Sequence, residues 1–361
     1  MDDARPLRVQ PTRKDRVFVA DTVNRRASIR DVAQAAGVST GTVSRVLNNH
    51  AYVSAEVRER VRSVIAQLGY QPSPVGRALS TRTITAIGIL IPDMADPVFM
   101  VIAQGIESVA KSRGYAVMLA NSDREPAQEL LFADLMAQFN VAGVLIVGDS
   151  RRNDHDLRRR LGVIPTVVIA RRAAGNIFPA VTIDHYLAAK AATEHLIELG
   201  HRRIGAVRGD PYSDAGTYRF RGYVDAMQGH GIEPDPSLAA GGSFAMSSSV
   251  DATHHLCGRP DPPTAIFYPS DELALGGMRV IKDLGFRIPN DVSVISINDI
   301  PFATTSDPPL TTVHMPAREL GTLGMQTLID MIAGRGPARD VVLGMDLVIR
   351  HSTAPPPSTA G

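Results

Sequence analysis

Between Gly37 and Asn48 the chain reads Gly-Val-Ser-Thr-Gly-Thr-Val-Ser-Arg-Val-Leu-Asn, and its polar residues suit one kind of chemistry. If this run is helical with Val43, Val46 and Leu47 inward, then Thr40, Gly41, Thr42, Ser44, Arg45 and Asn48 face outward. Short hydroxyls, an amide and a guanidinium on one face can reach base edges and phosphates. Holding that face out requires a partner helix. Ile29, Val32, Ala33 and Ala36 supply it, at the i, i+3, i+4, i+7 spacing of a single helical stripe. Ser28 with Asp31 reads as a capping box that starts this helix, and Gly37 as the tight turn that ends it. A helix, a glycine turn and a second helix with a polar outer face form a helix-turn-helix, which sets its second helix in the major groove. Taken alone, the pattern also fits an ordinary helical hairpin.

A third helix is expected after Ser54, with Val57, Val61, Val64, Ile65 and Leu68 closing a three-helix core. It is followed by Gly69-Tyr-Gln-Pro-Ser-Pro-Val-Gly-Arg-Ala-Leu-Ser80. These residues resemble the lactose-repressor/galactose-repressor family of transcription factors. The match is carried by Ile29-Arg-Asp-Val-Ala, Ala36-Gly-Val-Ser, Thr42-Val-Ser-Arg-Val-Leu-Asn48, Val53-Ser54 and Leu68-Gly-Tyr-Gln-Pro-Ser73, and continues to about Thr353. The resemblance implies that Ser39, Thr40, Gly41, Thr42, Ser44, Arg45, Asn48 and Tyr52 contact DNA, with Thr40 and Gly41 reading base identity. It also implies that Ser73–Leu79 folds as a hinge helix on operator DNA and wedges Leu79 into the minor groove. Gly76 stands where alanine is common and costs roughly 1 kcal/mol of helix propensity.

Bulk composition agrees with a basic head on an acidic body. The 361 residues carry 38 Lys/Arg against 37 Asp/Glu, but residues 1–80 hold 13 and 7 of them, leaving 25 and 30 in the remainder. A single cysteine, Cys257, excludes an intramolecular disulfide and a cysteine-based zinc site, and fits a reducing cytosol. With no run of 18 apolar residues and no signal peptide, the expectation is a soluble, cytoplasmic protein with no membrane partner.

In chain order, residues 1–27 read as a flexible basic extension, 28–70 as the DNA-binding domain and 71–82 as a hinge, with Pro72 and Pro74 stopping the preceding helix. From residue 84, strand-like and helix-like runs alternate: Ile84–Pro92, Pro97–Arg113, Tyr115–Ala120, Pro126–Phe139, Gly143–Val147, Thr166–Ala170 and onward to Leu343–Ile349. Such alternation predicts parallel sheets covered by helices, with ligands at the carboxyl ends of the strands. The fold class is therefore α plus α/β: a three-helix head, a hinge, and an effector-binding and dimerisation domain over 83–353. By resemblance that domain is periplasmic-binding-protein-like, two doubly wound parallel-sheet subdomains joined by crossovers near residues 183, 298 and 314. Their expected bounds are 83–183 plus 299–314, and 184–298 plus 315–353; residues 354–361 read as a disordered tail.

No nucleophile–base constellation, metal cluster or phosphate loop stands out, so neither an enzyme nor a cofactor or metal site is expected. His254 and His255 are adjacent and splay apart, unlike the i, i+4 pair of zinc sites. By resemblance, Phe99 lies at the effector pocket mouth, Arg219 clamps ligand hydroxyls or carboxylates, and Phe244 stacks on the ligand ring. Three positions depart from the family pattern: Ser270-Asp271 for a frequent Asn-Asp, Asn298 for an aspartate that grips sugar hydroxyls, and Ala170-Arg171 for an Asp-Arg. Two carboxylates suited to a neutral sugar are thus missing, while Arg219 remains with Arg171 and Arg172 as neighbours. An anionic sugar derivative would fit the arginines; a neutral sugar held by Asn298 and Ser270 is the alternative. The combined expectation is a homodimeric repressor of a pseudo-palindromic operator, controlled by such an effector. The absence of leucine heptads after Ile349 argues for a dimer rather than a tetramer.

Overall fold

In the computed structural model the described residues are 27–47, 52–70, 86–148, 152–336 and 338–357. The chain divides into two units, Met1–Thr83 and Ile84–Gly361. The extension over 1–26, the hinge over 71–82 and the last residues, 358–361, lie outside the described residues.

The first unit holds helices α1 (Ile29–Ala36), α2 (Thr40–Leu47) and α3 (Ala55–Gln67). Ser28 accepts from the Asp31 amide while the Asp31 carboxylate accepts from the Ser28 amide, the reciprocal pair expected from sequence. Gly37 ends α1 at φ 66°, a left-handed conformation that glycine adopts without a Cβ penalty. Val32, Ala33, Ala36, Val43, Val46, Val61 and Val64 form the buried core with Val57 and Ile65 packed against it, whereas Leu68, expected to face inward, is 42% exposed at the end of α3.

The second unit is built of two six-stranded sheets, one per lobe. Lobe 1 collects β1 (Ala86–Ile91), α4 (Pro97–Ser112), β2 (Ala116–Asn121), α5 (Pro126–Gln138), β3 (Gly143–Val147), α6 (Asp154–Leu161), β4 (Thr166–Ile169) and β5 (Ala180–Ile183). Lobe 2 follows with α7 (His185–Glu198), β6 (Ile204–Arg208), α8 (Asp214–Gly229), β7 (Ala239–Gly241), α9 (Met246–Cys257), β8 (Ala265–Phe267), α10 (Asp271–Asp283) and β9 (Ser293–Asn298). The chain then runs through α11 (Phe302–Thr305), β10 (Thr311–His314), α12 (Ala317–Ile332), β11 (Val341–Leu343) and β12 (Asp346–Val348). The sheet orders are β11-β5-β4-β3-β1-β2 and β12-β10-β9-β8-β6-β7, parallel except where β12 meets β10. Strands alternate their apolar residues between two covered faces. Ile87 and Ile89 pack with Ile102, Ile106 and Leu320, whereas Leu90, Val144 and Ile146 pack with Met136, Leu157 and Leu161.

Four boundaries differ from the sequence reading. The segment 299–314 stays in lobe 2: β10 pairs with β9, and Ser296, Thr312 and the Ile300 amide all donate to the buried Asp271 carboxylate. Segment 315–353 does not stay whole in lobe 2, because α12 packs on α4 and β11 pairs with β5. The crossovers therefore fall after Ile183, after His314 and after Leu343, not at 298. Leu343–Ile349 is not one strand; Gly344 and Met345 separate β11 in one sheet from β12 in the other. The expected tail begins later as well, since Ala354 exchanges hydrogen bonds with Ser293 and accepts one from His201. A short apolar strand pairs with whichever edge the preceding turn presents, and that choice leaves no periodicity in the sequence.

The return of α12 to lobe 1 depends on a close helix crossing. A Cβ at Gly321 would stand 2.1 Å from the Ile102 carbonyl oxygen, a backbone atom with no rotamer to yield. Alanine would gain roughly 0.5–1 kcal/mol of helix propensity but force the helices apart, an overpacking cost of about 1–3 kcal/mol. Gly321→Ala should therefore lower stability in urea unfolding; a stabilised variant would show that the α4–α12 crossing is loose.

Candidate functional site

On the first unit, α2 presents Thr40, Gly41 and Arg45 to solvent, with Ser44 and Thr42 half-buried. Ser39 and Thr42 are tied together: the Ser39 hydroxyl accepts from the Thr42 amide at 3.1 Å and lies 3.0 Å from its hydroxyl. Ser39 thus caps the recognition helix, leaving Thr40, Ser44 and Arg45 as the side chains projecting beyond it. Gly41 has room for more, because a Cβ there would meet only the Ser39 hydroxyl at 3.6 Å. Packing does not demand this glycine. Tyr52 is 96% exposed, beside the start of α3. Asn48 and Leu79 lie outside the described residues.

The second unit brings most of the remaining candidates into one cleft between the lobes. A cavity of about 50 Å³ is lined by Val98, Phe99, Ala170, Phe244 and Met315, with Arg219, Ser270 and Asn298 among its polar residues. The cleft stands at the carboxyl ends of the strands, as the parallel topology requires. Two of those strands end in left-handed backbone at residues other than glycine: Ala170 at φ 62°, and Asn298 and Asp299 at φ 134° and 57°. Each such residue stores about 1–3 kcal/mol of strain, a cost that concentrates at ligand sites.

Arg219, on α8, is 3% exposed. Its Nη1 donates to the Pro269 carbonyl, its Nη2 to Asn298 Oδ1 at 3.3 Å, and its Nε to His185 Nδ1 at 3.3 Å. His185 can accept there because its Nε2 donates to the Ala170 carbonyl at 2.8 Å, which leaves Nδ1 as a lone pair. Burial, reinforced by the Arg219 charge, pushes the imidazole down to about 3, so it remains neutral at physiological pH. Burial also lowers Arg219, to about 10, against the pull of Asp271 and Asp96. The guanidinium therefore stays cationic in a shell of neutral acceptors.

Arg171 has a different job from the one expected. It lines the cleft, but its fork grips Asp154 at 2.7 and 3.0 Å and its Nε donates to the Gly148 carbonyl. Both side chains are essentially inaccessible, so this guanidinium locks α6 to the end of β4 and is committed before any ligand arrives. Ser270 is similarly engaged, as the N-cap of α10, accepting from the Leu273 amide at 3.4 Å.

Sequence reading missed His185, Arg124, Asp96 and Glu272. Asp96 stands just before the helix expected from Pro97; it caps α4 and also lines the cleft, so the site does hold a carboxylate. Helix α6, with its Asp154, could have been found from Leu157, Leu161 and the closing Gly162. Nothing in the local pattern marks Arg124 as a cleft residue. Among the described residues no cluster of His, Cys, Asp and Glu is placed to hold a metal, and no helix is long and apolar enough to cross a membrane.

A three-helix head with a polar recognition face, and a two-lobed body closing on an interlobe cleft, define a DNA-binding regulator with a ligand-binding domain. Comparisons with known proteins place it more narrowly. Residues 28–73 match the bacterial regulatory proteins of the lacI family, and residues 193–353 a periplasmic binding protein-like domain. The HTH-type transcriptional repressor CytR of Escherichia coli (strain K12) is 36% identical over 328 residues, covering 91% of this chain and 96% of the relative. A transcriptional regulator CelR–cellobiose complex is 31% identical with a TM-score of 0.69, covering 91% of this chain and 100% of that one. The Lac repressor dimer bound to operator and the anti-inducer ONPF is 26% identical with a TM-score of 0.80 at the same coverage. This chain belongs to the lacI family of bacterial regulatory proteins and is a DNA-binding transcriptional regulator, not an enzyme.

The cleft mouth carries a titratable carboxylate. Burial first, then Asp96 and Asp93, push Glu272 up to about 7, with Arg124 opposing. A carboxyl raised on folding leaves stability intact below its unfolded value of 4.5 and removes it as pH climbs to about 7. Glu272→Gln should therefore gain melting temperature over the parent progressively from pH 4.5 to 7 and hold that gain above. A pH-independent difference would mean that Glu272 titrates normally.

Proposed function

We propose that this protein is a repressor that binds a pseudo-palindromic operator as a homodimer and is controlled by a small neutral carbohydrate-class effector held between the lobes. The observation that carries the effector reading is the cleft itself: Phe99 from lobe 1 and Phe244 from lobe 2 face one space, with Arg219 and Asn298 at its floor. Aromatic faces suit the apolar side of a sugar ring, and a fixed amide and guanidinium suit its hydroxyls. Neutrality is supported by Arg171, whose charge is already matched by Asp154, and by Asp96, whose carboxylate would repel an anion. The similar structure of a CelR–cellobiose complex adds to this side. Ligand closure of the lobes would act on DNA binding as a population shift, in proportion to the difference in affinity for the open and closed forms.

One observation favours an anion instead. Among the described residues no carboxylate forms an ion pair with Arg219, so a ligand carboxylate or phosphate would supply its first direct counter-charge.

Thermal shift of the full chain separates the two readings. Cellobiose and ribose should raise the melting temperature while gluconate and ribose 5-phosphate do not, and Arg219→Ala should erase the shift. Stabilisation by the acids alone would replace the neutral reading with the anionic one; no shift with either set would sink a carbohydrate effector.

For the DNA side, Arg45 is the exposed cation on α2 and Gly41 leaves its neighbours unobstructed. Arg45→Ala should lose about 1–3 kcal/mol of affinity for a fragment selected by the parent protein, roughly five- to 150-fold, with unchanged circular dichroism. Equal gel-shift affinities would remove Arg45 from the interface.

A further inference from the structure

Arg124 comes from lobe 1, in the loop that follows β2. Two consecutive residues there, Asp123 and Arg124, adopt left-handed backbone at φ 51° and 58°. The turn is pinned by the Arg124 amide donating to the Pro92 carbonyl at 2.9 Å, and by the Ser122 amide donating to that of Ile91. Holding two such residues costs about 1–3 kcal/mol apiece. The Arg124 side chain crosses the cleft mouth. Its guanidinium carbon stands 5.7 Å from the Phe99 ring centroid and 5.6 Å from that of Phe244, a planar cation between two aromatic rings on opposite lobes. Asp93 and Asp96 each lie 3.7 Å from its nitrogens.

The slot is shaped as closely as a ligand site. A Cβ on Gly148 would meet the Phe99 ring at 2.6 Å, and one on Gly209 the Phe244 ring at 2.6 Å, so each phenylalanine is seated against backbone that carries no side chain. The group that lies within reach of both rings is the Arg124 guanidinium.

We propose that Arg124 is a built-in occupant of the effector slot and a specificity-determining residue for the cleft. Its guanidinium bridges the lobes between Phe99 and Phe244 when no effector is bound, and an effector enters by displacing it. This rests on the reading of the cleft as the effector site. Displacement needs no stranded charge, because Asp93 and Asp96 stand at the mouth to receive the side chain as it swings out. Ligands that merely fill the floor around Arg219 leave the occupant in place; only those with a face to offer both rings replace it.

The test uses the full chain and two arms. In the first, Arg124→Ala is melted with increasing methylguanidinium, at concentrations too low to denature the parent. The small planar cation should refill the vacated slot and give a saturable rise of about 2 °C or more, absent in the parent and in the Arg124→Ala, Phe244→Ala double variant. No rise, or one equal in all three proteins, overturns the proposal. In the second arm, ligands from the thermal-shift screen are titrated calorimetrically. Arg124→Ala should bind them about two- to thirtyfold tighter, the factor that roughly 0.5–2 kcal/mol of cation–π attraction converts to. Unchanged or weaker binding, with the Arg219 dependence intact, overturns the role of Arg124 while the effector reading stands. If no ligand binds either protein, the effector reading falls and the methylguanidinium arm still decides whether Arg124 fills the slot. Arg124→Gln, planar but uncharged, separates shape from charge: parent-like affinity assigns the occupancy to the flat face, Ala-like affinity to the cation, and affinity below the parent's overturns it.

Discussion

A buried guanidinium has to find acceptors for its donors without water, and the body of this protein is arranged around two of them. Arg171 is satisfied by charge, in a bidentate pair with Asp154 that ties α6 to the end of β4. Arg219 is satisfied by dipoles alone: a histidine lone pair, an amide oxygen and a proline carbonyl. The difference sets their roles. A paired charge is inert, whereas a charge held by neutral partners keeps a field in the cleft that a ligand can feel.

The same requirement explains why the lobe boundary is placed where it is. His185 begins α7 immediately after the first crossover, donates to the Ala170 carbonyl in lobe 1 and accepts from Arg219 in lobe 2. One imidazole, kept neutral by its burial, therefore links the floor of the cleft across both lobes. Asp271 does related work inside lobe 2, where its carboxylate collects Ser296, Thr312 and the Ile300 amide and so holds β9 and β10 at the level of the cleft. Apolar contacts join the lobes as well, since Ile300 and Leu275 of lobe 2 pack against the lobe 1 core.

The mouth of the cleft follows other physics. Asp93, Asp96 and Glu272 bring negative charge together where the lobes meet, and the Arg124 guanidinium offsets it while lying between two phenylalanine rings. Floor and mouth are thus complementary: a fixed cation among neutral acceptors below, a movable cation among carboxylates above. A ligand that closes the lobes exchanges contacts with both.

How much of this the chain announces in advance depends on the range of the interaction. The capping box at Ser28 and Asp31, the turn at Gly37, the apolar stripes of the three head helices and the rhythm of strands and helices are local, three or four residues apart, and the sequence alone determined them. Resemblance added Phe99, Arg219, Phe244, Ser270 and Asn298, and the fold brings all five to one cleft. Only the tertiary structure decided that α12 returns to lobe 1, that β11 and β12 part at Gly344, and that Arg171 is spent on Asp154. The placement of Arg124 between rings 25 residues before it and 120 after it belongs to the same class. Short strands carry no record of which edge they will join, and an arginine's partners depend on which carboxylates the packed backbone brings within reach. Periodicity encodes the face a residue turns inward; what it meets there is set by the whole fold.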